Sequence, residues 1–159
     1  MKKTRVEILQ KNAHWKLSGM LRADIRKIIA STLDKAGFYH PYEVSIVLCG
    51  DQFIRKYNRE FMGKDRPTNV LSFPSGDLEN AANTEDLTYL GDVIISYNTL
   101  LRESLEQGKT FQNHCTHMLV HGILHLLGYD HIAPQDQEKM EALEVEILKS
   151  MGINNPYYI

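Results

Sequence analysis

Between His121 and His131 the chain reads HGILHLLGYDH, which carries three imidazoles that one divalent ion can gather. Four residues along an α-helix advance ~6 Å, and side chains at i and i+4 stack on one face. His121 and His125 therefore offer ring nitrogens to the same point. A third ligand further along the helix axis lies out of reach unless the chain turns back, and Gly128 permits that turn because glycine tolerates left-handed dihedrals. His131 then supplies the third nitrogen. Three neutral ligands leave a position for water, the arrangement of a catalytic zinc site and not of a closed structural one. Such an ion lowers the pKa of water toward ~7 and makes hydroxide available at neutral pH. The surrounding residues strengthen the reading. Met118, Leu119, Val120, Ile123, Leu124, Leu126 and Leu127 make this segment apolar on nearly every side, the pattern of a buried helix. Imidazoles buried there are costly without a partner, and a metal is such a partner.

Other polar residues sit close by. His117 lies one turn before His121 on the same face and reads as a residue lining the site; His114 is less well placed. Asp130 either orients a ligand ring or caps the turn. The spacing equals that of the metzincin peptidases, HExxHxxGxxH, but Gly122 stands where those enzymes carry the glutamate that serves as general base. A plain metzincin-type peptidase is therefore disfavoured. Upstream, Arg55, Lys56, Arg59, Lys64 and Arg66 crowd a short stretch against Glu60 and Asp65. This is either a solvated face or a local basic lip for a polyanion. From residue 135 onward Asp136, Glu138, Glu141, Glu144 and Glu146 outnumber Lys139 and Lys149, and this stretch reads as a solvated acidic face.

Patterns along the chain supply the elements that position these groups. Short strands are expected at Val6–Leu9, Glu43–Cys49, Asn69–Phe73 and Gly91–Ser96. In the second of these, Val44, Ile46 and Leu48 share one face, and Val47 and Cys49 share the other. Helical periodicity covers Leu21–Ala36, Asp51–Phe61, Tyr97 to about Gly108 and Phe111–Leu127. A last helix starts near Pro134, with Met140, Leu143, Ile147 and Met151 as its buried stripe. The polar stretch Ser75–Thr88 reads as a loop. These interleaved elements point to an α/β (α+β) fold, a small twisted sheet of about four strands packed with helices.

The 159 residues suit one domain, 1–159. A net charge of −2 excludes a protein that coats nucleic acid by bulk charge. Cys49 and Cys115 are isolated thiols without a CxxC pair, which fits a reducing compartment. No apolar run is long enough to span a membrane, and the basic start lacks a signal-peptide core. A cytoplasmic protein without membrane contact is expected.

The segment HGILHLLGYDH resembles the signature of the YbeY family of bacterial endoribonucleases, also called rRNA maturation factors. GKDRPTNVLSFP, from Gly63 to Pro74, is similar to that family's second motif, and LGDVII, from Leu90 to Ile95, to its third. The likeness runs from about Glu43 to Tyr157 and is weak before that. It implies a single-domain zincin-like fold with a mixed sheet, and one zinc per chain held by His121, His125 and His131. It implies a single-strand-specific endoribonuclease acting in 16S rRNA 3′-end maturation and ribosome quality control. The implied partners are single-stranded RNA, 16S rRNA, the 30S subunit, a platform ribosomal protein and the GTPase Era. One position departs from the pattern: Met62 stands where many members carry an arginine implicated in RNA cleavage. Arg59, one turn earlier, and Arg66 are the candidates to replace it, with Lys64 as a further catalytic cation. The strand Asn69–Phe73 is expected to line the cleft, with Phe73 either stacking on a base or packing in the core. Two other functions stand beside this one: a metal-stabilised ribosome assembly factor that works mainly by binding, and a peptidase-like metallohydrolase.

Overall fold

In the computed structural model, which describes residues 3–158, four strands form one sheet in the order β1-β2-β4-β3. β1 (Thr4–Gln10), β2 (Tyr42–Cys49) and β4 (Thr88–Ser96) run parallel, and β3 (Val70–Pro74) pairs antiparallel with β4. Parallel neighbours need a long crossover; α1 (Arg22–Lys35) makes it between β1 and β2. The other helices are α2 (Asp51–Met62), α3 (Tyr97–Gln107), α4 (Phe111–Leu126) and α5 (Pro134–Ser150). Among the described residues no helix is long and apolar enough to cross a membrane.

Strand alternation divides the apolar residues between two layers. Val44, Ile46 and Leu48 of β2 join the main core with Ile25 and Ile29 of α1 and Ile147 of α5, whereas Val47 and Cys49 face a smaller cluster with Ile54 of α2. α4 lies at the centre of the main layer. Its Leu119, Val120, Ile123 and Leu124 are fully buried, each contributing ~1.5–3 kcal/mol of hydrophobic burial. The helix that carries His121 and His125 is thus firmly anchored in the core.

Several elements extend beyond the sequence patterns. β4 begins at Thr88 and passes through a bulge opposite Glu43 and Val44, which hides its early residues from a strict two-residue period. The stretch read as a loop contains a 3-10 turn, Leu78–Asn83, pinned by buried Ala81. A second 3-10 turn, Ala13–Leu17, buries Trp15, whose Nε1–H donates to the carbonyl of Cys49 at 2.8 Å. Both turns are too short for periodicity to reveal.

Candidate metal centre

α4 supplies the first two histidines and the turn after it supplies the third. The helix ends through hydrogen bonds from the Gly128 N–H to His125 O and from the Tyr129 N–H to Leu124 O, with Gly128 at φ 95°. Asp130 then closes the return. Its Oδ1 accepts from the backbone N–H of His131 at 2.6 Å and of Ile132 at 3.0 Å. Of the two roles open to Asp130, the structure assigns capping of the turn.

The three histidines converge. One ring nitrogen from each of His121, His125 and His131 lies within 4.8 Å of the others, and Nε2 of His121 and of His125 are 3.0 Å apart. Two nitrogen ligands at ~2.1 Å from a tetrahedral zinc stand ~3.4 Å apart, so the cluster has the dimensions and the donor set of a metal site. Burial pushes the His125 ring down to about 4, and the neighbouring His121 and His131 add to the effect. A neutral imidazole is what a metal requires.

The tautomer of His121 follows from its partner. Its Nδ1 lies 2.5 Å from Oε1 of Glu144, and an ionised carboxylate only accepts. Nδ1 therefore carries the proton, and Nε2 presents its lone pair to the cluster. Glu144 is fully buried on α5. Burial alone would raise its pKa, but hydrogen bonds from His117, His121 and Tyr157 outweigh that and hold the carboxyl down at about 2. This corrects the reading of the last helix as a solvated acidic face: Glu144 points inward. The signal was present, since Glu144 follows Met140 by four residues and precedes Ile147 and Leu148 by three and four, and all three are buried.

The remaining candidates take these places. His117 is buried, 3.0 Å from Glu144 Oε2, and stands outside the triad. His114 pairs with Glu103 at 2.9 Å. Cys49 and Cys115 are buried thiols, pushed up to about 12 mainly by burial. A cleft of about 560 Å³ opens over the histidines, lined also by Met62, Lys64, Arg66 and Asn69 to Ser72. α2 ends at Gly63, and the following loop is held by the Lys64 N–H on Asn58 O and by Asn58 Nδ2 on Arg66 O. Arg59 does not line this cleft; its guanidinium lies 4.0 Å from Asp65, which Arg55 also binds. Phe73 packs on the opposite layer, edge-on to Phe61.

The low pKa of His125 has a consequence for stability. The folded protein without metal keeps this ring neutral, whereas the unfolded chain protonates near the ordinary value of 6.5. Its contribution is complete above that value and is lost as pH falls toward 4; after a discount for solvent screening of a ring that is only partly buried, the loss is on the order of 2 kcal/mol. Metal-free protein is expected to melt at a clearly lower temperature at about pH 4.5 than at about pH 7.5; equal melting temperatures would contradict the assignment.

Residues 7–152 match the family model described as Endoribonuclease YbeY. The chain is 47% identical over 137 residues to Endoribonuclease YbeY of Acinetobacter baumannii, covering 86% of this chain and 87% of that one. It is 46% identical over 132 residues to Endoribonuclease YbeY of Methylocella silvestris, covering 82% and 72%. The solution structure of TM1509 from Thermotoga maritima superimposes with a TM-score of 0.56 at 24% identity, covering 92% of this chain and 91% of that one. That likeness speaks to the fold, and the sequence relationships speak to descent: the chain belongs to the YbeY endoribonuclease family.

Proposed function

We propose that this protein is a zinc-dependent, single-strand-specific endoribonuclease that matures the 3′ end of 16S rRNA in the cytoplasm and takes part in ribosome quality control. Its proposed partners are the 30S subunit, a platform ribosomal protein and the GTPase Era. The observation that carries the reading is the convergence of His121, His125 and His131 at a cleft whose wall also bears Lys64 and Arg66. Membership of the endoribonuclease family supports RNA as the substrate.

The proposed ligands are His121 Nε2 together with a ring nitrogen each of His125 and His131. When bound, zinc supplies a Lewis acid at neutral pH. The chain's own residues do the rest. Lys64 and Arg66 hold the phosphate backbone and offset the negative charge that develops on the phosphoryl oxygens. Arg59 acts from further out, since Asp65 already shares its charge. Met62, 56% exposed at the cleft, contributes surface but no charge.

Lys64→Ala and Arg66→Ala are each expected to lower cleavage of a single-stranded RNA about tenfold and to reduce the log–log salt slope of binding by about one. Arg59→Ala should cost less. Zinc content by elemental analysis should stay at the wild-type value in all three. Undiminished cleavage in both the Lys64 and the Arg66 variants would remove these cations from the mechanism.

A further inference from the structure

Behind the triad lies a buried arrangement that the proposed reaction does not itself require. We infer that Glu144 is a positioning residue: it fixes His121 with Nδ1 protonated and Nε2 bare toward the other two histidines, and it is held in place by Tyr157 and His117. The inference rests on the proposed metal-centre reading and adds the residues that orient one of its ligands.

A free neutral imidazole carries its proton on either nitrogen, and only one of the two forms turns a lone pair toward His125 and His131. At His121 the choice is made by the Glu144 Oε1 contact of 2.5 Å. The carboxylate has no room to swing. It is fully buried, and its second oxygen accepts from His117 Nε2–H at 3.0 Å and from the Tyr157 hydroxyl. Tyr157 and His117 are themselves 3.3 Å apart between hydroxyl and Nε2. Three segments thus meet on one carboxylate: α4, α5 and the stretch that follows α5. Glutamine is a poorer partner. Its NH2 either faces the donors of His117 and Tyr157, or faces His121 Nδ1 and forces the proton onto Nε2. Partners of this kind cost 10–100-fold in metal affinity when they are removed.

The experiment combines a spectrum and a titration. Long-range proton–nitrogen correlation on metal-free wild-type protein reads the His121 tautomer directly. Competition with a chromophoric chelator reads zinc affinity for wild type, Glu144→Gln and Tyr157→Phe. The expected spectrum places the proton on Nδ1 in wild type and shifts it toward Nε2 in Glu144→Gln. The zinc dissociation constant should rise roughly 10–100-fold in Glu144→Gln and roughly threefold in Tyr157→Phe. An Nε2-protonated His121 in the wild type would overturn the inference, as would wild-type zinc affinity in both variants. If Glu144→Gln fails to fold, the wild-type spectrum and the Tyr157→Phe affinity decide. A wild-type protein that binds no zinc would defeat the metal reading, while the tautomer would still report on Glu144.

Discussion

Replacing His125 by alanine is expected to strip zinc from the purified protein and to lower cleavage of single-stranded RNA by at least ~100-fold, since loss of a direct ligand should exceed the 10–100-fold cost of losing a supporting partner. The fold should persist. His125 sits only partly buried near the end of α4, and alanine is the best helix former. Elemental analysis, a melting curve and a cleavage assay on one preparation check all three points. The same variant separates catalysis from binding. If cells carrying folded His125→Ala in place of the wild type still produce mature 16S 3′ ends, the protein acts mainly by binding.

Gly122→Glu, which introduces the glutamate of the metzincin pattern, is expected to destabilise the fold severely and not to create a peptidase. A Cβ built at Gly122 would lie 2.8 Å from Val93 Cγ1, 3.2 Å from Ser72 Oγ and 3.3 Å from Val70 Cγ2. Ser72 Oγ also donates to the Gly122 carbonyl at 2.9 Å, which locks α4 against β3. Even alanine here overpacks the contact at a cost of ~1–3 kcal/mol. A carboxylate forced into this packed contact adds the penalty of a buried charge. The sum, ~4 kcal/mol or more, is a large share of the ~5–15 kcal/mol that holds a domain together. Circular dichroism and the soluble fraction on expression test this; a Gly122→Glu protein melting within a few degrees of wild type would refute the packing argument. The residue after the first histidine faces the sheet, so the proton-handling group of those peptidases has no counterpart at this position.

The convergence of His121, His125 and His131 was legible because all three lie within one short segment whose period and glycine turn can be counted. β2 was legible for a similar reason: its alternation assigns Val44, Ile46 and Leu48 to one layer and Val47 and Cys49 to the other, as found. Glu144 was missed because its charge was read before its position, and its neighbours Glu141 and Glu146 face outward or lie at the rim of the helix. Arg59 and Met62 share a helix face by spacing, but of the two only Met62 lines the cleft, while the Arg59 guanidinium lies 4.0 Å from Asp65. The antiparallel placement of β3 beside β4 was not legible. It depends on which edge of the sheet is free, and no local period records that.

The contiguity of the triad bears on how a metal would stabilise the protein. His121, His125 and His131 remain sequence neighbours in the denatured chain, which therefore keeps some capacity to chelate. Ligand-linked stabilisation reports only the difference between native and denatured affinities. That difference comes from the folded helix and turn that hold the three rings together and from distant groups such as Glu144, 23 residues from His121. Titrating zinc against the melting temperature should therefore reach a plateau early, at the concentration where the denatured ensemble begins to compete for the ion.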